Sequence, residues 1–157
     1  MFLLDAILRA PRMRAAAALA AALLAFAPLA RAQGALPVTR VAVAGHELRV
    51  EIASNDAQRT RGLMYRDRLA KNDGMLFVFD DPGYHSMWMM NTLIPLSVAF
   101  IDGEGRILNI LDMEPQTLDP HAAAGPARYA IETNKGWFAQ RRIKPGDRVT
   151  GLPKPGR

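Results

Sequence analysis

The sequence predicts a mainly β domain, a compact, mostly antiparallel β-barrel or sandwich of about seven or eight short strands with one short α-helix. Three observations predict it. Period-two alternation flanks a Gly-containing turn in VTRVAVAGHELRVEIA, residues 38–53. Short apolar runs then recur between clusters of turn residues at 71–74, 80–83, 102–105, 134–136 and 144–147. One segment, opening at Ser54, Asn55 and Asp56, changes to a helical period.

The first residues stand apart from that pattern. Arg9, Arg12 and Arg14 precede the run AAAALAAALLAFA, followed by Pro28 and by Ala30-Arg31-Ala32. A basic start, a short alanine-rich apolar run and small residues two apart predict a cleavable secretory signal over residues 1–32, with cleavage near Ala32/Gln33 and a periplasmic or secreted product. As an anchor the run falls short of the roughly 20 apolar residues a membrane span needs, so no stable span is expected after cleavage. Residues 33–37 read as a short leader, 38–150 as one β-rich domain, and 151–157, GLPKPGR, as a frayed tail.

Composition narrows the function classes. The chain has 157 residues and no cysteine, which excludes lipid attachment at such a signal, disulfides, thiol nucleophiles and cysteine-ligated zinc. Removing Arg9, Arg12, Arg14, Arg31 and Asp5 with the signal leaves 16 basic residues against 14 acidic ones, taken from 20 and 15. The net charge of +2 is too small to argue a nucleic-acid partner. The remaining domain is long enough to bury a core without staples.

Each element follows from local pattern. Val41 and Val43, then Leu48, Val50 and Ile52, alternate with polar or small residues around Ala44-Gly45, which predicts a half-buried hairpin. After the helix-starting Ser54, Asn55 and Asp56, a helical projection gathers Ala53, Ala57, Thr60, Leu63 and Met64 on one side. Arg59 and Arg66 fall opposite, as a solvated face, and Arg61 sits at the border. Gly62 costs about 1 kcal/mol inside a helix, so it marks either close packing or the helix end.

The stretch from 74 to 102, GMLFVFDDPGYHSMWMMNTLIPLSVAFID, is the densest source of core. MLFVF is apolar on both alternating faces, so both are covered, by a barrel interior on one side and the helix on the other. Residues 85–90 read as the next strand, 91–95 as an irregular connection, and 96–101 paired with 106–111 as another hairpin. Residues 112–128, with three prolines and three consecutive alanines, read as a long loop. RYAIET, 128–133, is a strand with Tyr129 and Ile131 on one face and Ala130 and Glu132 on the other. A short helical turn is expected over 137–142.

These motifs resemble a known family. The succession RTRGLMYRDRL, GMLFVF, WMMNTLIPL, VAFID, YAIETNKG and IKPGDRV is similar to the domain of unknown function 192 family. The resemblance covers roughly residues 38–149 and implies a single small β-rich domain, often exported in bacteria, with no established activity attached to the name. The matching positions are Arg61, Gly62, Leu63, Met64 and Arg66; Gly74, Met75, Leu76 and Phe77; Trp88, Met89, Asn91, Thr92, Pro95 and Leu96; and Glu132 and Gly136. At Met87, Met90 and Ser97 the resemblance implies an aromatic, a lysine and an aspartate, so this chain is more apolar and richer in methionine there.

Three functional readings follow from the residues. In the first, the domain is a binding or accessory module: Trp88 supplies a flat apolar platform, Asn91 and Thr92 short hydrogen-bonding groups, and Arg61 and Glu132 one charge of each sign. That mix suits a small polar ligand, a glycan or a peptide segment. The bland counterparts are Trp88 in the core, Asn91 and Thr92 closing a turn, and Glu132 paired with Arg61. In the second, His85, Met87 and Met89 alternate along a strand about 7 Å apart and offer a soft set for Cu(I), the one cofactor the sequence raises. In the third, Asp112, Glu114, Asp119 and His121 of the long loop do acid-base work as a hydrolase. No Ser-centred elbow, zinc-protease helix or phosphate-cradling glycine loop is present, so the chain leans away from catalysis.

Overall fold

β1 (Val38–Val43) and β2 (His46–Ala53) form the expected hairpin, with Val41 opposite Leu48 and Val43 opposite His46. This is a computed structural model, and it describes residues 35–154. The expected secretory signal lies outside the described residues. Val41, Val43, Leu48 and Val50 are buried while the residues between them face outward, as period two requires.

α1 (Asp56–Arg61) begins at a capping box. The Asn55 side chain accepts from the Gln58 backbone N–H at 2.9 Å, and the Gln58 side chain accepts from the N–H groups of Asn55 and Ser54. Gly62 ends the helix with φ at +46°, its N–H donating to the Gln58 carbonyl at 2.9 Å. A Cβ there would meet the Phe77 ring at 3.4 Å, an ordinary contact. Of the two readings, the helix end with its positive φ is the one that calls for glycine.

Because α1 carries the chain back to its starting end, β3 (Asp73–Gly83) pairs with β2 in parallel, the sheet's single parallel pairing among the described residues. Then follow β4 (Ser86–Met87), β5 (Leu96–Ile101), β6 (Ile107–Met113), β7 (His121–Ala122), β8 (Ala127–Asn134), α2 (Trp137–Gln140) and β9 (Val149–Thr150). Seven strands form one sheet in the order β6-β5-β8-β3-β2-β1-β9, while β4 and β7 pair apart from it. The sheet curls until its outer edges meet at one end, where Arg106 bridges Arg148. There the Ile107 N–H donates to Asp147 O at 2.9 Å, and the Val149 N–H to Gly105 O at 2.7 Å. The result is a mainly β half-barrel.

Curling gives the two faces different cores. All seven strands send side chains into one, through Val43, Leu48, Leu76, Ile101, Ile107, Ile131 and Val149, and Trp137 and Phe138 of α2 plug it. The other face holds Met75, Phe77, Phe79, Val98, Phe100 and Ala130. It is covered by Leu63 and Leu69 from the α1–β3 connection and by Met89 and Ile94 from the β4–β5 connection. The double coverage expected of MLFVF is present, and the site lies on this second face.

Several sequence expectations need correction. The strand expected over 85–90 stops at Met87, because Met89 turns into the core and is fully buried. The long loop carries β7, which pairs Met87 with His121. The mainly β class is as expected, and α2 is the helical turn expected over 137–142; among the described residues the strands number nine because three of them, β4, β7 and β9, are two-residue pairings too short to leave a readable period. Of the expected leader, Leu36 packs on the second core and Pro37 O accepts from the Ile52 N–H at 2.8 Å. Of the expected tail, Leu152 packs on the first core and the Pro153 carbonyl accepts from the Tyr129 hydroxyl at 2.9 Å.

Candidate functional site

Alternation along β8 places Glu132 on the second face, directly between two apolar neighbours. Met75 of β3 lies opposite it on one side and Val98 of β5 on the other. Its backbone is hemmed in as well, since a side chain on Gly74 would come within 2.5 Å of the Glu132 carbonyl oxygen. Glu132 is 5 % exposed. Its carboxyl has no hydrogen-bond or ion-pair partner among the described residues, and burial alone pushes its pKa up to about 8. At neutral pH it is a buried, protonated acid.

Above that carboxyl opens a cleft of about 520 Å³. One wall is α1 and the turn beyond it, contributing Thr60, Arg61, Leu63 and Met64. The facing wall is the chain from His85 to Trp88, and Phe77, Phe79 and Thr92 complete the floor with Glu132.

The walls are held by groups that the sequence reading assigned to solvent. Arg59 is not on a solvated face: its side chain is 14 % exposed and ties α1 to the end of β3. It donates to Val78 O at 2.7 Å, to Asp80 at 2.8 Å, to Asp56 at 2.5 Å and to Ser54 O at 3.1 Å. Burial opposes its charge, but the hydrogen bonds it donates to Asp56 and Asp80 outweigh that, and its pKa is raised. Arg66 is likewise committed, donating from both terminal nitrogens to both carboxylate oxygens of Glu51 at 2.7 Å. On the facing wall the His85 ring stacks on Phe79, with centroids 3.7 Å apart. Its Nε2 lies 3.0 Å from Asp81 O, so an Nε2–H donates there.

Of the five residues expected to bind a ligand, Arg61, Trp88, Thr92 and Glu132 line this one cleft and Asn91 does not. Arg61 is exposed and forms no ion pair among the described residues, so the Arg61–Glu132 pair is not made. Trp88 is 50 % exposed rather than core. Asn91 closes the turn, with φ at +56° and its carbonyl accepting from the Tyr65 N–H at 2.8 Å. Thr92 is buried, and its N–H donates to Met89 O at 3.1 Å.

The other candidates fall elsewhere. His85 and Met87 line the cleft, but Met89 lies in the core outside it, so the three do not share a surface. None of Asp112, Glu114, Asp119 and His121 lines the cleft. Asp112 accepts from Ser97 Oγ at 2.5 Å, Glu114 pairs with Lys135, and His121 is bound into β7. Ser97, where the resemblance implied an aspartate, also accepts from the Gly136 N–H at 2.9 Å. Among the described residues no group of three His, Cys, Asp or Glu is arranged to hold a metal ion. Sequence reasoning missed Phe77, Phe79 and Met64 as lining. The signal for the first two was available, since alternation puts Phe77 and Phe79 on the face opposite Leu76 and Val78.

Comparison with known proteins places this geometry in context. The model of the DUF192 family, described as an uncharacterized ACR, matches residues 39–151. A protein of unknown function from Novosphingobium aromaticivorans is 38% identical, with a TM-score of 0.71 over 73% of this chain and 85% of that one. A Sinorhizobium meliloti protein described as a "putative transcription regulator" is 36% identical, with a TM-score of 0.71 over 73% of this chain and 94% of that one. No curated protein matches. Among the described residues no helix is long and apolar enough to cross a membrane.

Proposed function

Starting from a chain that belongs to the DUF192 family, we propose that it is a ligand-binding module whose site is the cleft floored by Glu132. One observation carries the reading: the buried Glu132 side chain turns its carboxyl to the cleft with no hydrogen-bond or ion-pair partner among the described residues. Elsewhere this chain pairs its ordering charges, Glu51 with Arg66 and Arg59 with Asp56 and Asp80. In the cleft Arg61, Asp81 and Glu132 are left without an ion pair among the described residues, and of these Glu132 alone is buried. A buried polar group without a partner lowers stability, and a ligand that supplies the missing partner recovers that loss on binding. The half-exposed Trp88 ring and the Phe77 and Phe79 side chains add the apolar lining typical of small-ligand sites.

The same arrangement favours binding over reaction. His85, the imidazole on the wall, is held by its stack on Phe79 and its bond to Asp81 O, and it faces no hydroxyl or carboxylate partner in hydrogen-bond reach among the described residues. The basic, apolar and small-residue order of residues 9–32 supports a site of action outside the cytoplasm, in the periplasm.

The test is a thermal-shift and tryptophan-fluorescence screen of the parent, Glu132→Gln and Trp88→Ala against small amines, acids, sugars and short peptides. At least one ligand class should stabilise the parent saturably and lose that effect in both variants, each shown to be folded by circular dichroism. Ligands that shift all three proteins alike, or none, overturn the reading.

A further inference from the structure

Resting on that reading of the cleft, we infer that its ligand is an organic cation, a primary ammonium on a slim aliphatic chain, seated with the ammonium against the Glu132 carboxyl. The chain would lie between the apolar side chains of Phe77, Met64, Met87 and Trp88, all of which line the cleft.

Charge decides the sign of the ligand. Among the lining residues Asp56, Asp80, Asp81 and Glu132 are acidic, and Arg59 and Arg61 are basic. Arg59 is consumed by Asp56 and Asp80. Arg61 is exposed and so belongs to the solvent side of the cleft, whereas Glu132 is buried. An anion driven to the floor would meet a carboxyl between Met75 and Val98, and the floor's other polar side chain, Thr92, already points its hydroxyl at Met90 O. A neutral polyol would find only Glu132 and Thr92 as polar partners on the floor, with Phe77 and Phe79 around its other hydroxyls, which is costly. An ammonium brings the missing charge and donors to the carboxyl. It also gains from the Phe77 and Trp88 rings, whose faces attract cations, and an alkyl chain matches the thioethers of Met64 and Met87.

Binding of this kind moves a proton. Burial keeps Glu132 protonated at neutral pH, with its pKa at about 8, so forming the ammonium–carboxylate pair expels that proton to solvent. Affinity then rises about tenfold per pH unit on approach to that pKa and levels off above it. The other titratable or charged groups at the cleft are Asp56, Arg59 and Arg61 from α1, Asp80 and Asp81 from β3, and His85 beyond it.

The experiment is isothermal titration calorimetry of the purified chain at pH 6, 7 and 8, in two buffers of different protonation enthalpy. The probes are cadaverine and Nα-acetyl-lysine methylamide, which separate a free polyamine from a lysine side chain, with pentan-1-ol and pentanoate as neutral and anionic counterparts. The expected result is one-to-one binding of at least one ammonium, at least tenfold tighter than pentan-1-ol or pentanoate, with close to one proton released at pH 7. Glu132→Gln should lose at least tenfold in affinity and lose the pH slope. A slope retained in Glu132→Gln assigns the proton to another group and overturns the inference. Pentanoate or pentan-1-ol binding as well as the ammonium overturns it too, while leaving the cleft a binding site. Ammonium silence alongside hits from another class in the screen has the same meaning; silence from every class overturns both readings.

Discussion

Arg66 reaches back to Glu51 and grips it with both terminal nitrogens, each 2.7 Å from a different carboxylate oxygen. The fork joins the connection after α1 to β2 and so fixes one edge of the cleft wall. It also shows how this chain treats a structural carboxylate, in contrast with the solitary Glu132.

Arg66→Lys keeps the charge and loses the fork. With both partners only part-buried, the expected cost is about 1 kcal/mol after allowing for solvent screening, read as a lower urea midpoint at unchanged slope. The Arg66 hydrogen bond holds the Glu51 carboxyl below its ordinary 4.5. A depressed carboxyl contributes stability that is present above that value and lost as pH falls. The parent–variant difference should therefore shrink when the titration is repeated at pH 3.

Glu132 has the opposite sign. Its pKa is raised from 4.5 to about 8, so between those values the folded chain holds a proton that the unfolded chain has released. Stability is full below 4.5 and falls as pH rises toward 8, by on the order of 5 kcal/mol for a single group. Glu132→Gln should flatten that decline, leaving the variant more stable than the parent at pH 9 and close to it at pH 4. Equal melting temperatures at pH 9 would contradict an unpaired carboxyl.

Arg59→Ala removes four hydrogen bonds at once, including one to the β3 backbone at Val78. The expected loss is about 2–3 kcal/mol. Asp56→Asn, which removes one exposed partner, should cost less than about 1 kcal/mol. Chemical denaturation of both variants checks the order.

Trp88 and Met89 are neighbours with different duties. Met89→Ala opens a cavity in the second core and should cost about 2–5 kcal/mol. Trp88→Ala removes a half-exposed ring and should cost under about 1 kcal/mol while abolishing ligand response. The reverse order would place Trp88 in the core.

Much of this fold is legible locally. The first hairpin, the cap at Asn55 and the end at Gly62 follow from residues within a turn or two of each other, where propensity and period act directly. So does the alternation that sets Glu132 opposite Tyr129 and Ile131 on β8. What failed was partnership. Arg59 and Arg66 look like a solvated helix face because Asp80 and Glu51 are 21 and 15 residues away, and no local pattern announces them. Residues 88–90 look like continuing strand because alternation cannot tell a strand from a chain that turns Met89 inward.

By itself the sequence determined the β-rich class, most turns, and the residue types that line the cleft from Arg61 to Glu132. Only the tertiary structure decided that Trp88 stays in solvent, that Asn91 turns away, and that Arg61 and Glu132 share a cleft without pairing. The reason is physical: burial and pairing depend on the distance between α1 and β8, elements separated in sequence, and that distance is set by how the whole sheet curls.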